Sequence, residues 1–223
     1  PLSVLKYKEK GHEAHMINFE ISNLKKSKNQ KDIDVLFFGH LTPDRKEFLD
    51  YIVNEGISLK NVGHREHMVG LPQDELIKLI SKSKIVLNLS KTRTTSVINY
   101  ASESTHRFHY QFKGRISLAG IIGTMCVSEY SPGQEIIFKE DELPTFFTKE
   151  ECAQILKKLL KNDELLEKYT NKFTAKVHEL WDDKKNFEPI YKAIEKTDNR
   201  RVKLIRFPYW YMRIAAKQII LRN

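Results

Sequence analysis

FKGRISLAGIIGTMCVSEYSPGQEIIF, residues 112–138, reads as a helix-to-strand unit of an α/β protein. Lys113 and Arg115 open a short helical pattern whose apolar part runs over 116–122, and Gly123 closes it. A short apolar strand follows at 125–128, and Ser131-Pro132-Gly133 supplies a turn. The first N–H groups of a helix have no internal partner, and the helix dipole is positive there. A helix start flanked by Lys and Arg therefore predicts an anion site, suited to a phosphorylated ligand.

Outward from this unit the same alternation repeats. Residues 34–39, DVLFFG, form an apolar run ending in Gly and read as a buried parallel strand. Thr42-Pro43-Asp44 then gives an N-cap with Pro in the first turn of a helix. Phe48, Leu49, Ile52 and Val53 supply its core face, and Gly56 stops it. A second strand is predicted over 57–62, ending at Gly63. A second helix starts around 71–75, with Leu76, Leu79 and Ile80 facing inward. Residues 84–89, KIVLNL, read as a third buried strand. An edge strand is predicted at 143–147, and amphipathic helices at 149–160, 163–181 and 186–196.

Alternation of this kind through most of 34–160 predicts βαβ units and a Rossmann-like, doubly wound parallel sheet with flanking helices. In such sheets ligands sit beyond the carboxyl ends of the strands, where the strand order reverses. That rule nominates the residues that follow each strand. They are the residues from His40 through Thr42 to Arg45, then Gly63, His64 and Arg65, then Ser90 with the residues up to Arg93, then Glu129 and the turn up to Gly133. His40 can equally be a solvated loop residue, and Arg45 a surface helix residue. Residues 91–111 are rich in Thr, Ser, His and aromatics without a firm period. A polar excursion of that length is usually functional, which adds His106, Arg107 and His109.

Composition narrows the class. The chain has 223 residues and a formal net charge of +9. Residues 1–31 carry seven Lys against three Glu, and residues 196–223 carry eight Lys or Arg against one Asp. The positive excess therefore lies at the two ends, which argues against a nucleic-acid stripe on the folded body. No run of about 18 apolar residues and no secretory signal pattern is visible. Cys126 and Cys152 fall inside a predicted strand and helix, as reduced cytosolic thiols do. The expected location is the cytoplasm, including the inner face of the membrane. The sequence opens on Pro1 rather than Met, which fits a piece of a longer protein. The expected divisions are a linker-like segment over 1–31, a Rossmann-like domain over 32–180 and a helical tail over 181–223.

Motifs of other chemistries are missing. There is no G-x-S-x-G, no P-loop and no CxxC pair, so hydrolase, NTPase and zinc readings lack support. His64 and His67 have no nearby Cys or carboxylate cluster to complete a metal site. No cofactor is implied.

The run DVLFFGHLTPDRKEFLDYI, then VGH, then PQDELIKLISKSKIVLNLS, then KGRISLAGIIGTMCVSEYSPGQEIIF, resembles the C-terminal domain of GT-B fold glycosyltransferases. The nearest flavour is the bacterial spore-maturation-like group with a glycosyl-transferase family 1 C-terminal domain. The resemblance covers about residues 32–180. It implies a two-domain enzyme in which this half grips a nucleotide-sugar donor, UDP- or GDP-linked. The other half, expected to be absent here, binds a glycan, lipid-linked or protein acceptor and carries the catalytic residues. By position it places Gly39, Arg45, Lys113 and Arg115 at the donor diphosphate; their places after the strands add His40 and Thr42 there, and His64, Arg65, Ser90 and Glu129 toward the nucleotide and ribose. One position departs from the family: Leu118 stands where related retaining enzymes have a Glu.

That departure favours an alternative, a non-catalytic Rossmann-like module that docks a partner or a membrane. Within residues 201–222, Arg206, Trp210, Arg213 and Lys217 fall on one helical face, and Tyr209, Met212, Ala216, Ile219 and Ile220 on another. Such a helix suits a lipid interface, and equally suits packing on the missing acceptor domain.

Overall fold

The computed structural model describes residues 2–12, 30–63, 70–91 and 110–196. Five strands form one sheet in the order β2-β1-β3-β4-β5. They are β1 (Ile33–Phe37), β2 (Leu59–Asn61), β3 (Ser83–Asn88), β4 (Met125–Glu129) and β5 (Thr145–Phe146). Every pairing is parallel: Val35 lies opposite Leu59 on one side and Ile85 on the other, Val86 opposite Cys126, and Ser128 opposite Thr145. The four strands expected from apolar runs are thus neighbours in one sheet, and the expected edge strand pairs with β4. β2 is shorter than the expected 57–62: Ile57 is buried ahead of the ladder, while Val62 still donates its N–H to Phe37 O at 2.9 Å.

The helices are α1 (Leu2–Glu9), α2 (Pro43–Asn54), α3 (Gln73–Ser81), α4 (Gly114–Ile122), α5 (Lys149–Leu160), α6 (Asp163–Leu180) and α7 (Asp183–Lys196). Their ends follow the local chemistry. Thr42 caps α2 with Pro43 in its first turn. Thr148 and Glu151 form a reciprocal capping box on α5. Gly123 ends α4 in the left-handed conformation, at φ 88°. α1 lies in the segment read as linker-like, and its described side chains are exposed.

α2 touches α5, while α3 touches α4 and α4 touches α6, so helices cover both faces of the sheet. Right-handed crossovers require this arrangement. The connection through α2 runs one way from β1, and those through α3 and α4 run the other way. The three central strands are buried on both faces and are accordingly apolar: Val35, Leu36, Phe37, Ile85, Val86, Leu87, Met125, Cys126 and Val127 are fully buried.

The chain forms two compact units, residues 1–187 and 188–223. The second is described only along the end of α7, where Lys192 pairs with Glu188. Among the described residues no helix is long and apolar enough to cross a membrane.

Candidate functional site

The strand order reverses between β1 and β3. β1 hands the chain through α2 to the β2 edge, and β3 returns on the other side of β1. In doubly wound sheets the segments leaving two such strands border a crevice at their carboxyl ends. Phe38, Gly39, His40 and Leu41 leave β1; Leu89, Ser90 and Lys91 leave β3. The chain comes back to the same place after residues 92–109. An antiparallel bridge joins Lys91 to Tyr110, and Gln111 N–H donates to Ser90 O at 3.1 Å. Three residues later α4 begins, so its N-terminus is delivered to the crevice.

Three cations meet there. Arg45 is 5% exposed. Its guanidinium donates to His40 O at 2.7 Å, Lys91 O at 3.1 Å and Leu89 O at 3.4 Å, tying the β1 loop to the β3 loop. Thr42 sits below it as the α2 cap, its hydroxyl accepting from Arg45 N at 3.4 Å. Arg115 Nη1 donates to Asn88 Oδ1 at 3.0 Å and Leu89 O at 3.3 Å. The same guanidinium lies 5.4 Å from the Phe37 ring centre and 5.9 Å from that of Phe38. Burial, with Arg45 nearby, pushes Arg115 down to about 10, still charged at neutral pH. Lys113 is the N-cap residue of α4, half-buried, and its ammonium donates to Gln111 Oε1. Burial, then the charges of Arg45 and Arg115, push its amine down to about 8. A site that destabilises its own positive charge in this way is one that an anion would relieve.

The floor of the crevice is a closed polar network. Asn88 Nδ2 donates to Ser90 Oγ at 3.0 Å and Ser128 Oγ at 2.9 Å, and both hydroxyls donate to Glu129 O. Lys91 N–H donates to Glu129 Oε2 at 2.9 Å. Asn88 thus couples Arg115 to the end of β4. It was missed in reading the sequence, although a lone Asn inside the apolar run KIVLNL is the signal that could have found it.

Behind α4 the support is apolar. Phe112 stacks on Phe138 with centroids 6.2 Å apart and on Trp181 at 6.4 Å, and Phe138 leans on Phe173 at 5.9 Å. Gly120 lets α6 approach so closely that a Cβ there would lie 2.4 Å from Val177 Cγ2.

Of the residues nominated from sequence, the structure brings Gly39, His40, Thr42, Arg45, Ser90, Lys113, Arg115 and Glu129 to this end of the sheet. Arg45, Thr42, Ser90 and Glu129 hold the loops together there. Leu118 is partly buried against the core. His64, Arg65, His67, Arg93, His106, Arg107, His109 and residues 201–222 lie outside the described residues. Cys126 and Cys152 are free and buried, and burial pushes both thiols up. Among the described residues no group of His, Cys, Asp and Glu could hold a metal ion.

In a doubly wound domain the switch point is where ligands are taken up, and here it gathers three cations. The model of the glycosyl transferase-like family matches residues 23–190, and the chain belongs to that family. No curated protein sequence matches the chain. Solved structures share its fold at low identity. A mutant of S. aureus TarM, in complex with fondaparinux, α-GlcNAc-glycerol and UDP, is 14% identical with a TM-score of 0.58. That match covers 86% of this chain and 42% of that one. HepE from Anabaena, in complex with UDP-glucose, is 15% identical with a TM-score of 0.56, covering 87% of this chain and 61% of that one. The C-terminal domain of the glycosyl transferase group 1 family protein LpcC from Francisella tularensis is 11% identical with a TM-score of 0.50. There the match covers 70% of this chain and 94% of that domain. The chain thus has the fold of the C-terminal half of a GT-B glycosyltransferase, as the resemblance implied, and spans less than half of TarM.

Proposed function

We propose that this domain is the donor-binding half of a glycosyltransferase that moves a sugar from a nucleotide-sugar to a glycan, lipid-linked or protein acceptor. The observation that carries the reading is the Lys113–Arg115 pair at the start of α4, set beside the Gly39 loop at the switch point. In this reading the diphosphate lies against the first N–H groups of α4 and the Lys113 ammonium. Arg115 and Arg45 provide fixed positive charge behind it. Charge held in place before the reaction stabilises the diphosphate as it leaves and the glycosidic bond breaks. Gly39 keeps the β1 loop low enough for this approach. The UDP and UDP-glucose held by TarM and HepE favour uridine over guanosine nucleotides.

His64 and Arg65 in this reading edge the nucleotide, and residues 201–222 contact a membrane surface or the acceptor domain. A non-catalytic module is the second reading, favoured by one observation: Leu118 packs against the core where an acid would face the donor.

Titration calorimetry of the chain with UDP, GDP and inorganic pyrophosphate tests the first reading. Lys113→Ala is the informative variant, because Arg115 is also a structural donor to Asn88 and Leu89. Losing one charge-assisted hydrogen bond costs about 1.5–3 kcal/mol, so the dissociation constant should rise about ten- to a hundredfold with an unchanged melting point. Equal affinity in the wild type and Lys113→Ala would remove the α4 start from the site.

A further inference from the structure

β4 and β5 end side by side, with Glu129 opposite Phe146 in register. The next residue on each strand is aromatic. Tyr130 and Phe147 stack with ring centroids 4.8 Å apart and planes 30° from parallel. Both backbones are held: Tyr130 N–H donates to Phe146 O at 2.9 Å, and Phe147 N–H to Glu151 Oε2 at 2.7 Å in the α5 cap. Phe147 is nevertheless 68% exposed, so a rigid aromatic face is open to solvent. A hollow of about 230 Å³ lies against this pair, with Gln134, Glu135, Lys139 and Glu140 also on its wall.

The polar groups of the hollow are mostly acceptors. Glu135 Oε1 already receives the Tyr130 hydroxyl at 3.3 Å, and Glu140 is exposed. Gln134 is 3% exposed and donates through Nε2 to Thr145 Oγ1 at 2.7 Å. Its Oε1 has no hydrogen-bond partner among the described residues. A buried acceptor without a donor needs explaining, and a donor-rich ligand or a water supplies one. Two carboxylates against the single ammonium of Lys139 disfavour phosphate. The β1–β3 crevice has the opposite sign, with three cations.

We propose that the Tyr130–Phe147 shelf is a carbohydrate subsite that stacks a neutral pyranose ring. A pyranose presents an apolar C–H face to an aromatic ring, and hydroxyl donors around its rim to carboxylates and amides. A nucleotide fits poorly because its phosphates would face Glu135 and Glu140. The shelf stands one to two strand spacings of about 4.8 Å from β3, a separation that one or two sugar units span. The sugar shelf rests on its own geometry and stands apart from the donor reading of the β1–β3 end.

Saturation-transfer NMR tests this on the full chain, with methyl α-glucopyranoside, N-acetylglucosamine and a cellobiose probe. UDP is titrated by calorimetry on the same samples. The wild type should show saccharide transfer that falls at least fivefold in Phe147→Ala and persists in Phe147→Trp, while UDP affinity stays the same. Absence of transfer to all three probes, or undiminished transfer in Phe147→Ala, overturns the proposal. Self-association in sedimentation that Phe147→Ala abolishes, with no saccharide transfer, also overturns it and makes the shelf a protein contact. Saccharide transfer that depends on Phe147 without any UDP binding supports the shelf and removes the donor reading instead.

Discussion

The guanidinium of Arg115 occupies the space that a side chain at residue 39 would need: a Cβ on Gly39 would lie 2.7 Å from Nη2 and 3.0 Å from Nε. Gly39 also has φ 109°, a region that side chains rarely adopt. Both constraints act on Gly39→Ala. Backbone strain costs about 1–3 kcal/mol, and the collision moves Arg115 off Asn88 and Leu89. Urea unfolding should show a loss of that size, and UDP affinity should fall more than tenfold. A variant of full stability and affinity would mean that Arg115 holds no fixed place.

The depressed amine of Lys113 makes two pH predictions. Bound diphosphate restores the charge, so binding near pH 8 should take up a fraction of a proton, and affinity should fall as pH rises through about 8. Calorimetry in buffers of different ionisation enthalpy reads the uptake, and Lys113→Met should abolish it. Without ligand the sign concerns stability. Between about 8 and the ordinary value of 10.5 the unfolded chain binds more protons at this site than the folded one. This group's contribution to unfolding free energy therefore rises with pH over that window and is flat below it.

Arg45 spans two loops through three carbonyls, which a lysine cannot reproduce. Arg45→Lys should lower stability by about 2–4 kcal/mol, since each buried acceptor left unpaired costs about 1–3 kcal/mol. Chemical denaturation gives the number. A loss of UDP affinity without any loss of stability would make Arg45 a direct phosphate ligand rather than a clamp between the loops.

Gly120 decides between two opposed effects. Alanine favours a helix over glycine by about 1 kcal/mol, but its Cβ would meet Val177 at 2.4 Å. Overpacking costs about 1–3 kcal/mol and should win. Gly120→Ala should therefore lower the melting point, and Val177→Ala should rescue part of the loss. Additivity of the two changes in a double-mutant cycle would show that α4 and α6 do not meet at these residues.

The sheet was legible because burial on both faces leaves a plain mark: short apolar runs such as VLFF and KIVLNL, separated by capped helices. Strand ends were less legible. Ile57 and Leu89 look like strand residues because both are buried, yet their backbones lie outside the strands. In the site, position was readable and partnership was not. The switch-point rule pointed to Arg45 and the basic helix start pointed to Arg115, but no spacing in the chain reveals that one grips His40, Leu89 and Lys91, or that the other leans on Phe37 and Asn88. Apart from the local Arg45–His40 bond, those contacts join residues far apart in sequence, 44 and 46 residues for Arg45 and 27 for Arg115 to Asn88, and exist only once β1 and β3 are neighbours. The Tyr130–Phe147 shelf was invisible for the same reason, since its two rings meet across the β4–β5 register.

Trp181 closes the aromatic stack that begins at Phe112, the residue directly ahead of Lys113. Its indole is 8% exposed and nearly parallel to the Phe112 ring, at 15°. The domain thereby carries its own optical probe. Any shift in the start of α4 on ligand capture changes the surroundings of a buried indole, and with Trp210 replaced by Phe the emission of Trp181 follows it without a label.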